Sequence, residues 1–217
     1  MLLVLKSLAL AFSALLPVVN PLGSALLFLG VVGDVPPDEF RRLARKVALS
    51  MVMFLLIIEL AGATLLAFFG ISLPVVQLAG GLVLATMGWQ LLNESDSQKQ
   101  APVQGADRGP IEEKIFYPLT FPLTAGPGCI VVTATLSAHA ARHNVSENVL
   151  DHVGIALAIA ILGLSVWLSY AYAPKITRKI APRTVHGILR VIAFVLLCIG
   201  VQIAWNGLEA MVKAMSK

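Results

Sequence analysis

Two short stretches put the poorest helix formers inside strongly apolar runs. They are "PVVNPLGS" at residues 17–24 and "FPLTAGPGC" at residues 121–129. Proline removes a backbone donor and clashes with the preceding turn. Glycine permits unusual dihedrals and close approach. Backbone groups freed in hydrocarbon are costly unless protein or a water-filled cavity receives them, so both breaks are expected to face the protein interior. A helix restarting at Pro21 or Pro127 presents unpaired N–H groups and a partial positive charge, which suits a carboxylate. Asn20, Ser24 and Thr124 add hydrogen bonds without net charge. The candidate substrate-binding set is therefore Asn20, Pro21, Gly23 and Ser24 with Thr124, Gly126, Pro127 and Gly128.

Glu59 is the only acidic residue well inside an apolar run. Such residues are functional by default, because an ionised carboxylate is expensive there. It is a candidate to bind an ammonium group or relay a proton; local pairing is the structural alternative. His139 and His143 stand four apart, with Asp151 and His152 close by in sequence. Spacing of four can bring two imidazoles to one metal, but the intervening loop favours no metal site here. Gln90 and Gln202 fit hydrogen bonds between helices. Both cysteines, Cys129 and Cys198, look like small buried residues of apolar runs. No phosphate loop, metal triad or nucleophile–base pair is visible, so an enzyme is not expected.

These residues need a frame, and composition supplies it. Of 217 residues 58% are apolar and only 13% charged, against about 25% charged in soluble domains. A mean hydropathy of +0.85 points to an all-α integral membrane protein. The net charge of +4 would suggest nucleic acid in a soluble chain. Here the basic residues lie in short connections, where they set topology, so a lipid bilayer and no nucleic acid is the expected surrounding. Six spans are expected, near 3–32, 45–69, 73–92, 115–140, 152–173 and 187–212, with spans 1 and 4 broken at midplane.

With six spans, both termini share a side. Arg41, Arg42, Arg45, Lys46, Lys99, Arg108, Lys114, Lys175, Arg178, Lys179, Arg183 and Arg190 make 12 cations on one side; Lys6, Arg142, Lys213 and Lys217 make 4 on the other. The excess places both termini outside the cytoplasm. The polar segment 93–114 becomes a cytoplasmic linker between two three-span halves, 1–92 and 115–217. An odd number of spans per half inverts one half relative to the other. "NPLGS" and "GPGC" occupy matching places in spans 1 and 4, as do "MGWQLL" (87–92) and "IGVQIA" (199–204) near the ends of spans 3 and 6. Paired interruptions in inverted halves mark transporter binding sites.

Four stretches together carry a resemblance: "NPLGS", "FFGIS" (68–72), "LAGGLVLATMGWQLL" (78–92) and "PLTFPLTAGPGCI" (118–130). Over essentially its whole length the chain resembles the MarC family of bacterial inner-membrane proteins. The resemblance implies six spans and transport of small neutral amino acids such as glycine and alanine. By position, Asn20, Pro21 and Gly23 match the first family motif and Gly126 and Pro127 the second. Many relatives carry aspartate where this chain has Asn20, so no proton- or cation-coupling role is carried over to that position. A neutral zwitterion also suits the residues themselves. Its carboxylate would meet the helix N-termini, and its ammonium the carbonyls ending the first half-helices or a carboxylate. No cofactor is implied; coupling to protons or to sodium, and assembly into a homo-oligomer, stay open. The alternatives are a membrane scaffold or regulator whose kinks only shape packing, and a metal or other ion exporter. A polar cavity between 20–24 and 124–129 would favour transport, a dry centre the scaffold, and convergence of the histidines the exporter.

Overall fold

A computed structural model describes residues 2–33, 35–93, 111–140, 145–179 and 182–215, and the described residues contain no strand. Among the described residues seven α-helices run in chain order: α1 Leu2–Val19, α2 Pro21–Val32, α3 Pro37–Phe68, α4 Leu73–Asn93, α5 Pro127–Ala140, α6 Val145–Lys179 and α7 Pro182–Met215. A 3-10 turn at Ile111–Lys114 and a π-type coil at Ile115–Thr124 lead into α5. Most of the expected linker, residues 94–110, lies outside the described residues.

Four of these helical stretches are long and apolar enough to cross a membrane: Leu2–Val32, Leu73–Asn93, Glu147–Lys175 and Arg190–Met215. The bent pair Glu112–Thr124 and Pro127–Ala138 adds a fifth if it counts as one span. α3 is also long, and Glu59 is the sole charged residue in its apolar stretch from Val47 to Phe68. It starts well before the expected residue 45. Pro37 takes the first turn, where no N–H is needed, and Asp38 and Glu39 follow beside the positive helix end. Its far end closes at Gly70, whose φ of 67° suits a residue without a side chain.

α6 is the centre of the bundle, packed against α1, α2, α3 and α5. Ile155, Ala158, Ile159, Leu162, Val166 and Tyr170 are all buried, at the three-to-four spacing of a single helix face. α4 packs chiefly against α7, through glycine. A side chain at Gly88 would meet Leu197 N at 2.5 Å and Ala193 O at 2.9 Å. One at Gly200 would meet Ala85 N at 2.3 Å and Gly81 O at 2.8 Å. Shifting 81, 85 and 88 each by 112 gives 193, 197 and 200, so the two contacts are reciprocal. Such backbone contact is how membrane helices associate where hydrophobicity offers no drive.

Candidate functional site where two helices break

The first break is built by Asn20. It takes the left-handed conformation, φ 46° and ψ 66°, which asparagine tolerates better than most residues. Its side-chain oxygen accepts from Gly23 N at 3.1 Å, capping the helix that Pro21 begins. Gly23 is needed for this, since a Cβ there would lie 2.2 Å from Asn20 Nδ2. One N–H expected to await a substrate carboxylate is thus already occupied by the chain. Ser24 donates to Asn20 O at 2.9 Å, bridging the break from the other side.

The second break differs. Span 4 does not begin as an ordinary half-helix. The tandem "YPLTFPLT" (117–124) forms the wider π-type coil, with Tyr117 and Phe121 extended and both following peptide bonds to Pro118 and Pro122 cis. Extended geometry is what a residue before proline prefers. Each repeat ends in a threonine that bonds back five residues. Thr120 donates to Ile115 O at 2.7 Å and Thr124 to Leu119 O at 2.6 Å. These hydroxyls satisfy carbonyls that a regular ladder would otherwise serve. The chain then bends by 73° into α5, which starts at Pro127.

The two breaks adjoin. A side chain at Gly128 would come within 3.2 Å of Val18, at the end of α1. They also share a partner that sequence reading missed. Tyr170 on α6 is fully buried, and its hydroxyl lies 2.7 Å from Thr124 Oγ1. The Thr124 proton goes to Leu119 O, so Tyr170 donates and Thr124 accepts. Ser24 lies beside the same hydroxyl. The Tyr170 ring stacks on Phe28 at 4.5 Å, which fixes it from the α2 side. A tyrosine inside the last turn of an apolar span, in "LSYAY" (168–172), was the available signal.

Pro21, Gly23, Ser24, Thr124, Gly126 and Gly128 are buried, Asn20 is half-buried and Pro127 is exposed. Protein atoms crowd the centre: a side chain at Gly128 would meet Leu84 at 2.1 Å. Two cavities lie instead at the ends of the bundle. One, of about 300 Å³, is lined by Gly33, Phe40, Arg41, Tyr172 and Lys175 among others. The other, of about 240 Å³, is lined by Lys6, Ser7, Leu136 and Asp151 among others.

Glu59 is only 1% exposed, and its carboxylate pairs with His152 Nδ1 from α6. The exporter alternative would bring His152 together with His139 and His143. His143 and the side chain of His139 lie outside the described residues, Asp151 accepts from Ser7, and no group of three or more potential metal ligands occurs among the described residues. Two expectations are corrected. Gln202 bonds within its own helix to Asn206 at 2.8 Å, and Gln90 is exposed, so neither bridges helices. Cys129 is buried as expected, but Cys198 is exposed.

A family model for MarC family integral membrane proteins matches residues 5–212. The chain belongs to the MarC family. Among curated MarC-family relatives, the inner membrane protein MarC of Citrobacter koseri is 31% identical, with 96% of each chain covered. That of Escherichia coli is 28% identical, again with 96% of each chain covered. No solved structure matches the chain. Like these relatives by name, the chain is a multi-pass inner-membrane protein, and the two breaks fall within the region shared with the MarC family.

Proposed function

We propose that this protein transports small neutral amino acids of the glycine and alanine kind, with the substrate bound where the two helix breaks meet. One observation carries the reading: Thr124 from the second break and Ser24 from the first converge on the single hydroxyl of Tyr170. Polar groups from opposite halves of the sequence gather at one buried point, as at a transporter's substrate site. The substrate carboxylate displaces the Asn20 side chain from Gly23 N–H and from the α2 N-terminus. Asn20 is then a placeholder for the ligand.

The architecture we infer is six spans in two inverted three-span halves, with α3 counted as a span and α1–α2 and the coil–α5 pair as broken ones. The reciprocal glycine contacts of α4 and α7 support it. Both termini lie on the non-cytoplasmic side. In support, Arg41 and Lys175 line one end cavity, Lys46 and Arg42 hold Glu112 near that end, and Lys6 lines the cavity at the opposite end. Thiol labelling of single cysteines at positions 6 and 41 in intact cells tests this: only position 6 should react with an impermeant reagent.

The crowded centre favours a second reading, a membrane scaffold without transport. Uptake and efflux of radiolabelled glycine and alanine in proteoliposomes, with Gly126→Leu beside the wild type, separates the two. Saturable flux that the variant loses supports transport. No flux in either direction, with or without a proton or sodium gradient, supports the scaffold.

A further inference from the structure

Glu59 and His152 stand apart from the breaks. Glu59 comes from α3 and His152 from α6, and Leu55 and Ile159 of the same two helices are fully buried. The carboxylate is 1% exposed while the imidazole is 27% exposed. The pair is thus graded, with one partner reachable from outside the bundle and the other sealed inside it. Two titratable groups in contact can pass one proton between them without adding net charge to the interior.

Three helices tie this pair to the breaks. α6 carries His152 in its first turns and Tyr170 farther along. α3 presents the Glu59 backbone carbonyl to the Ser137 hydroxyl of α5 at 2.5 Å. α5 itself starts at the second break. Cys129, Thr133 and Ser137 follow at spacings of four, so they line one α5 face, and all three are buried. Thr133 Oγ1 has no hydrogen-bond partner. A thiol and two hydroxyls thus line the α5 face between Pro127 and the Glu59 carbonyl, over roughly 15 Å at 1.5 Å per residue.

We propose that Glu59 and His152 are a proton-binding pair that couples proton movement to amino-acid transport; this rests on the transport reading above. A proton entering at His152 turns the carboxylate–imidazole contact into an ion pair, and passing it to Glu59 gives a neutral acid beside a neutral imidazole. Its loss leaves the carboxylate facing a neutral imidazole. Each exchange changes how tightly α3 and α6 are held together next to Ser137, and α5 carries the change to the break. The other titratable groups on α6 and α1 toward this end, among the described residues, include Glu147 in the first turn of α6, Asp151 on α6, which accepts from Ser7, and Lys6 on α1, which lines the cavity with Asp151. α3 supplies none but Glu59 here, since its other charged residues sit at its opposite end.

The test uses the reconstituted full-length protein. Alanine–alanine exchange and alanine accumulation driven by an imposed pH gradient are measured for the wild type, Glu59→Gln and His152→Gln, with an entrapped pH dye reporting proton entry. In the wild type, a pH gradient should raise accumulation several-fold and alanine should carry protons with it. In both variants exchange should stay within about twofold of wild type, while gradient-driven accumulation falls to its level without a gradient. Glu59→Asp should recover part of the coupling. Wild-type exchange that ignores a pH gradient overturns the proposal and leaves the transport reading standing, whatever the variants do. Variants that keep full proton coupling, or that fold and lose exchange and accumulation equally, also overturn it. Absence of wild-type exchange overturns the transport reading, and the coupling role with it.

Discussion

The α4–α7 pair and the break region use the same residue for opposite ends. Between α4 and α7, glycines bring backbone against backbone. Gly81, Gly88 and Gly200 each have main-chain atoms of the other helix where a side chain would go. Around the breaks, Gly23 leaves space for a side chain, the Asn20 cap. There the ladder opens and hydroxyls take over its work. In one region glycine removes everything but contact, and in the other it lets polar groups be rearranged. A membrane protein needs both, because packing must hold helices without a hydrophobic drive while a site must expose backbone without stranding it.

That contrast can be broken at its strongest point first. Gly200→Leu should be the most disruptive change, since the clash is with Ala85 N and Gly81 O rather than with a yielding side chain. A loss of about 3 kcal/mol or more is expected, read as a lower melting temperature in detergent. An unchanged melting temperature would mean that α4 and α7 are not held by backbone contact.

Gly126→Leu acts on the other region. Its nearest neighbours are Pro122 O at 3.3 Å and the end of Met87 at 3.6 Å. Folding should survive while alanine flux falls by about 100-fold, the scale set by misplaced substrate. Equal loss of stability and flux would show that the break is packed for structure alone.

Tyr170→Phe is subtler. It removes the donor to Thr124, whose own proton still reaches Leu119 O. A loss of about 1 kcal/mol is expected, with flux reduced and the apparent affinity for alanine weakened. Retained affinity would mean that the hydroxyl only braces the two breaks. Gly30→Ala sharpens the comparison from below. No atom lies within 4 Å of the added methyl, so melting temperature and flux should stay put, within about 0.5 kcal/mol. A large effect there would mean that a surface facing lipid in this chain is covered by something else.

The sequence by itself determined that this is a helical membrane protein, where its interruptions fall, and which family it joins. Those properties are local. Apolar run length follows from bilayer thickness, and proline and glycine act on the turns that contain them. It also exposed Glu59, because a carboxylate in an apolar run stands out without any knowledge of its neighbours. Only the tertiary structure decided that His152 pairs with Glu59. It likewise decided that Tyr170 closes the distance between the two breaks, and that Asn20 caps its own helix. Each is a partnership between residues tens of positions apart, or a choice of side-chain direction. Chain periodicity carries no record of either, since they are set by which helix faces meet once the bundle has packed.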